Sequence, residues 1–153
     1  MCEAAKELEN EELKFFNNLS KAANNLKNID LIISSSSIQY FEDPRKILTE
    51  MINTGSHYIL LTRLSFTLSD HDIISVQKSL LSQNGFEKLP DGYVDKVIKY
   101  PHTNMKELDF KNIIETKYKI KLQFDDQSGV QYINNYQSVG YGLLLERKDE
   151  LLV

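Results

Sequence analysis

The stretch "NIDLIISSSSIQYFEDPRKILTEMINTG", residues 28–55, decides the fold. Behind Asp30 an apolar run, Leu31 to Ile33, gives way to four consecutive serines, Ser34 to Ser37. "DLIISS" (30–35) is continuous and bounded by polar residues, which predicts a strand buried on both faces. Asp43 is a good N-cap, and Pro44 stands at the first helical position, where its missing N–H is not needed. Ile47, Leu48, Met51 and Ile52 then share one face at helical spacing, and Gly55 is placed to end the helix. "HYILLTRL" (57–64) is a second apolar strand. Strand, helix and strand in succession make a βαβ unit, which demands a parallel pair with a right-handed crossover.

Upstream, residues 3–9 predict a short helix and "LKFF" (13–16) a short strand. Downstream, residues 65–104 form a long connection with a pair of short strands around "ISVQK" and "YVDKVIKY". Connections of that length tend to be lids or substrate-binding inserts. Residues 105–116 predict a helix with Leu108, Ile113 and Ile114 inward. "YKIKLQFDD" (118–126) alternates at period two, and "SVGYGLLLERK" (138–148) reads as its antiparallel partner across the polar segment 125–137. The expected class is α/β, with parallel core strands finished by an antiparallel C-terminal hairpin, in a single domain over residues 1–153.

Composition excludes several functions. The chain has 153 residues, 41% of them hydrophobic, and a formal charge of -4, an ordinary globular profile. No apolar run approaches the roughly 20 residues that span a bilayer. The amphipathic, charged N-terminus is no signal peptide. The single cysteine, Cys2, has no internal disulfide partner, which fits a reducing cytoplasm. Mild acidity argues against nucleic acid, and "KVIK" (96–99) and "KYKIK" (117–121) read as solvated faces. Three scattered histidines and one cysteine show no zinc-type ligand spacing, so no metal is expected.

The serines have a functional reading. Ligands of open parallel sheets sit at the carboxyl ends of strands, where bulky β-branched side chains would block access to the backbone. Small residues leave room there and offer hydroxyls and carbonyls. The plainer reading is a polar strand end entering a loop, where serine is common.

"IDLIISSSSIQYFEDPRKIL" (29–48) resembles the fourth-strand motif of class I S-adenosylmethionine-dependent methyltransferases. In that motif an acid opens the strand, small or polar residues close it, an aliphatic-polar-aromatic triplet follows, and a "-DP-" helix start comes next. Asp30, the run to Ser37, Ile38-Gln39-Tyr40 and Asp43-Pro44 fill these positions. More narrowly, the chain is similar to methyltransferases encoded in bacterial surface-polysaccharide gene clusters. There a strand ends in Arg, as in "YILLTRLSF", a "vQ" segment (Val76-Gln77) leads to a "-YP-" element (Tyr100-Pro101), and a strand like "GYGLLLERK" closes the domain. "EAAKELENEELKFFNNL" (3–19) resembles the helix and third strand.

That resemblance implies a partial Rossmann-like methyltransferase fold lacking the first two strands. All six glycines lie after residue 54, and none forms a glycine-rich cofactor loop. The expectation is a C-terminal portion of such a domain, with Met1 internal to a longer chain. From the usual strand order 3-2-1-4-5-7-6, one edge of the fourth strand would be exposed, inviting self-association. By the same resemblance Ser34 and Ser35 would lie against the amino-acid end of S-adenosylmethionine, and Asn17 and Asn18 in the region of its adenine. Gln39 and Tyr40 would face the transferred methyl and the acceptor, and Arg63 and Ser65 would line the acceptor pocket. Tyr40 also reads as a packing aromatic, and Arg63 as an exposed strand-end charge.

Methyl transfer is an in-line displacement that needs positioning and, for a hydroxyl acceptor, a general base. His57 begins a strand at the wrong end of the sheet, which leaves His71 and His102 in the insert as candidates. The expected function is methyl transfer to a sugar or other small-molecule acceptor, with this chain alone inactive. The alternative is a non-catalytic methyltransferase-like remnant or partner-binding module.

Overall fold

The computed structural model describes residues 5–84, 89, 91–125, 130–133 and 135–149. Its strands are β1 (Leu31–Ser35), β2 (Tyr58–Thr67), β3 (Ile73–Leu80), β4 (Val97–Lys106), β5 (Tyr118–Phe124), β6 (Val130–Ile133) and β7 (Tyr136–Arg147). The α-helices are α1 (Leu19–Asn25), α2 (Pro44–Asn53) and α3 (Glu107–Glu115). The strands form one open, mixed sheet in the order β3-β4-β2-β7-β5, with β1 also beside β2 and β6 beside β7.

The βαβ unit forms for the reasons visible in the sequence. Asp43 accepts a hydrogen bond from the Lys46 N–H at 3.0 Å, Pro44 starts α2, and Leu48, Met51 and Ile52 are buried. Gly55 takes φ +71°, the left-handed conformation that closes a helix. β1 and β2 run parallel from Leu31↔Tyr58 to Ser35↔Thr62. On the other side of β2, β7 runs antiparallel and continues antiparallel to β5. The resulting order β1-β2-β7-β5 agrees with the 4-5-7-6 part of the strand order expected from the resemblance.

One face of the sheet is covered by α2 and α3. Leu48 and Ile52 share one buried core with Ile59, Leu61 and Phe66 of β2, Leu143 and Leu145 of β7, and Phe110 and Ile114 of α3. Each such side chain contributes about 1.5–3 kcal/mol by leaving water. Phe66 and Phe110 meet edge-on with centroids 5.0 Å apart. Among the described residues the other face is left uncovered. Ile33, Leu60, Leu144 and Leu122 stand in register across four strands there, with Ile33 64% exposed.

Several expectations need correction. β1 is not buried on both faces: Leu31 and Ile33 are exposed, because among the described residues β1 pairs only with β2 and its outer face is uncovered. "LKFF" is not a strand. Asn10 Oδ1 accepts from the N–H groups of Glu12 and Leu13, and Glu9 Oε1 accepts from the Phe15 N–H. These local bonds replace a ladder. The helix expected over 3–9 is a 3-10 turn at Lys6–Leu8, with residues 3 and 4 outside the described residues. In α3, Leu108 is 60% exposed and Phe110 takes the inward place. The segment 65–104 carries two long strands, β3 and β4, paired from Ile73↔Asn104 to Leu80↔Val97. The 125–137 connection holds β6, paired with the start of β7.

Candidate functional site

β1 and β4 lie along the same edge of β2. β1 covers residues 58–62, and β4 pairs only at Phe66↔Met105 and Thr67↔Lys106. Between them β2 bends: its register with β7 shifts between Leu61 and Leu64, and Arg63 takes φ +53°. The chain leaves β1 at this opening. Ser36 takes φ +49° and its N–H donates to the Thr62 carbonyl at 3.0 Å. A 3-10 turn, Ile38–Tyr40, then fills the gap. Its Gln39 Nε2 donates to the Arg63 carbonyl at 2.9 Å, and Ile38 is buried in the core.

This geometry answers why serines end the strand. Ser34 is buried, and its hydroxyl lies 2.7 Å from that of Ser37. Ser36 Oγ accepts from Gln39 Nε2 at 3.4 Å. Three of the hydroxyls therefore shape the turn, which larger side chains would not allow to close. Ser35 is exposed and accepts from Thr62 Oγ1 at 2.8 Å. Gln39 is buried, and its Oε1 has no hydrogen-bond partner. A buried acceptor left this way is unfavourable by about 1–3 kcal/mol until a donor reaches it.

The β3–β4 hairpin folds over this tip. The Tyr40 hydroxyl donates to Gln77 Oε1 at 3.2 Å, and its ring meets Tyr100 and His102 edge-on at 5.6 and 5.2 Å. Burial, reinforced by the neighbouring Tyr100 phenol, pushes the Tyr40 phenol above its ordinary value. His102 is buried, and that burial holds its imidazole below the usual histidine value.

Behind His102, Asn104 organises a buried polar cluster. Its Nδ2 donates to the Ile73 carbonyl at 3.5 Å and faces His102 Nδ1 at 3.4 Å. Its Oδ1 accepts from the hydroxyls of Ser65 and of Ser138, the latter at 2.7 Å. His102 Nδ1 and the Asn104 amide therefore belong to one buried polar cluster behind the Tyr40 ring.

The remaining expected residues are dispersed. Asn18 caps α1, its Oδ1 accepting from the Lys21 N–H at 2.8 Å, and Asn17 is exposed beside it. α1, from Leu19 onward, lines a cleft of about 740 Å³ with Asp30, His57 and Arg147. That cleft lies at the amino ends of β1 and β2, opposite to Ser34 and Ser35. Arg63 is exposed at the bend of β2. His71 is exposed, with Nδ1 2.6 Å from Asp70 and its ring 5.5 Å from that of Tyr136. The fold thus brings together Ser34, Ser35, Gln39, Tyr40, Ser65 and His102, and leaves Asn17, Asn18 and His71 outside. Asn104 and Ser138 were not anticipated. A polar run such as "HTN" in a strand gives no periodic signal, and only its burial reveals a role. Gln77 and Tyr100 had been marked by the resemblance without a function.

Among the described residues no cluster of three or more metal-ligating side chains occurs, and no helix is long and apolar enough to cross a membrane. No protein-family model and no curated protein sequence matches the chain. Solved structures do. One is a S-adenosylmethionine-dependent methyltransferase from Clostridium acetobutylicum, with 16% identity over 80% of this chain and 60% of that one and a TM-score of 0.40. Another is the glycopeptide N-methyltransferase MtfA complexed with (S)-adenosyl-L-methionine, with 11% identity over 82% of this chain and 56% of that one and a TM-score of 0.42. The chain therefore spans 60% or less of the length of these two structures.

Proposed function

We propose that this chain takes part in methyl transfer from S-adenosylmethionine to a small acceptor, such as a sugar of surface-polysaccharide synthesis. One observation carries the reading. In the order β1-β2-β7-β5, with β7 antiparallel between its neighbours, a serine-rich tip closes a parallel strand. Such tips are where open sheets bind ligands.

When bound, the cofactor supplies an activated methyl group, and the protein's task is to hold donor and acceptor in line. The residues at the tip fit its amino-acid end. Ser35 offers an exposed hydroxyl, and the orphan Oε1 of Gln39 is an acceptor suited to an ammonium or hydroxyl donor. Tyr40 bounds the acceptor side, with the His102 imidazole against its ring. The sequence holds no glycine-rich loop for the other half of the pocket, so this chain alone binds weakly.

A 1H–15N NMR titration with S-adenosylmethionine tests this reading. Shifts centred on residues 34–40 that saturate only in the roughly millimolar range are expected. Shifts confined to other regions, or none at those concentrations, would reject it.

A second reading, a non-catalytic partner-binding module, is favoured by the open face carrying Ile33, Leu60, Leu144 and Leu122. An apolar sheet face is stabilised by being covered. This reading expects concentration-dependent self-association in sedimentation equilibrium, abolished by Ile33→Glu, with no response to the cofactor.

A further inference from the structure

The β3–β4 hairpin has two unlike faces. One packs on the Tyr40 turn through Gln77, Tyr100 and His102. The other is open, with Ile74 72% and Val76 64% exposed. Within that apolar face stand Lys78 and Lys99, set directly opposite each other by the register. Both are exposed, and neither has an ion pair among the described residues. Like charges directly opposed on a ladder repel, and a carboxylate placed between them relieves the repulsion.

Among the described residues the backbone of β3 is open as well, since it ends the sheet. At Leu80 the turn that follows covers the edge: the N–H donates to Gln83 Oε1 at 2.8 Å, and the carbonyl accepts from Asn84 Nδ2 at 2.9 Å. Both Leu80 groups therefore face away from β4. Antiparallel pairing alternates, so the backbone groups of Lys78, Val76 and Ile74 face outward too. No such cover protects them among the described residues. The same alternation makes Lys78 and Lys99 a non-hydrogen-bonded pair, the closer kind, with Cα atoms about 4.5 Å apart.

We propose that the outer edge of β3, from Ile74 to Lys78, takes up an extended acidic segment of a partner protein as an added strand. The partner's backbone completes the ladder, its alternate apolar side chains lie beside Ile74 and Val76, and a carboxylate meets the lysine pair. An anionic lipid surface meets the lysines and the apolar side chains but leaves the outward N–H and C=O groups without partners.

The test uses a short capped peptide of alternating Val and Thr carrying Glu, together with its Gln and Lys counterparts, titrated into the 15N-labelled chain at low salt. The Glu peptide is expected to shift the amides of Ile74, Val76 and Lys78 and to bind about tenfold more tightly than the Gln peptide. Lys78→Glu combined with Lys99→Glu is expected to turn the preference toward the Lys peptide. Val76→Pro is expected to abolish binding while the chain stays folded, because the lost N–H points away from β4. Equal binding of the Glu and Gln peptides, shifts away from β3, or retained binding by Val76→Pro overturns the proposal. So does uptake by phosphatidylserine vesicles in place of the peptide, or sedimentation showing that a second copy occupies this edge.

Discussion

The rings of Tyr40 and His102 meet edge to face, with centroids 5.2 Å apart and planes at 68°. One residue follows the strand β1 and the other lies in β4, so this contact ties the β3–β4 hairpin to the tip of the parallel pair. The direct pairing of β4 with β2 covers only two positions on each strand, Phe66↔Met105 and Thr67↔Lys106. Tyr40 is therefore a main fastener of the hairpin.

Replacing Tyr40 with Ala removes two edge contacts, each contributing about 0.5–1.5 kcal/mol. Amide hydrogen exchange in residues 73–80 and 97–104 is expected to speed up while exchange in β2 and β7 stays slow. Tyr40→Phe keeps the ring contacts and loses the hydroxyl's bonds to Gln77 and Ser36, so its exchange pattern is expected to stay nearer that of the unaltered chain than Tyr40→Ala.

The buried imidazole of His102 gives stability a pH slope. Its folded value lies below the ordinary 6.5 because burial disfavours the charged form. Between the two values the unfolded chain binds the proton more readily, so stability rises with pH. The contribution is fully present above about 6.5 and is lost as pH falls toward the folded value. Urea midpoints are expected to drop from about pH 7.5 to about pH 5, with a shallower drop in His102→Gln.

Arg45 of α2 makes a two-point ion pair with Asp72 at 2.5 and 2.8 Å and reaches Asp109 of α3 at 3.3 Å. Asp72 also accepts from the Lys106 N–H at 2.7 Å, so it holds the end of β4 as well. The hydrogen bond from Arg45 lowers the Asp72 carboxyl below its ordinary value of 3.8. That contribution is present above 3.8 and fades as pH falls through the lower folded value. Asp72→Asn is expected to cost about 1–3 kcal/mol at neutral pH in urea unfolding, and to cost less in strong acid.

α3 offers a direct contrast between its faces. Phe110 is fully buried against Phe66, whereas Leu108 is largely exposed. Phe110→Ala is expected to cost about 3–5 kcal/mol in denaturant unfolding. Leu108→Ala is expected to stay within about 0.5 kcal/mol. Equal losses at the two positions would contradict the packing described.

Local chemistry made much of this chain legible before its folding was known. The Asp43-Pro44 start, the Ile47–Ile52 face and Gly55 define α2 through capping and periodicity, which depend on residues a few positions apart. The apolar runs of β1 and β2 and the alternation in β5 did the same for strands. Where such signals competed with local hydrogen bonds, as Asn10 and Glu9 do with "LKFF", apolar character misled. Leu108 and Phe110 show a similar limit, since a short helix offers several plausible apolar stripes and the neighbouring sheet chooses one.

The sequence alone determined the βαβ unit, the antiparallel C-terminal hairpin and a polar ending to the first strand, because each follows from side-chain pattern and turn chemistry along a short stretch. Only the tertiary structure decided that Ser34 turns inward while Ser35 stays exposed. It alone brought Tyr100, His102 and Asn104 over the tip, and left β3 with an open, lysine-bearing edge. Those outcomes depend on contacts between residues far apart in the chain, and the bend at Arg63 that lets β4 succeed β1 along β2 has no local signature to read.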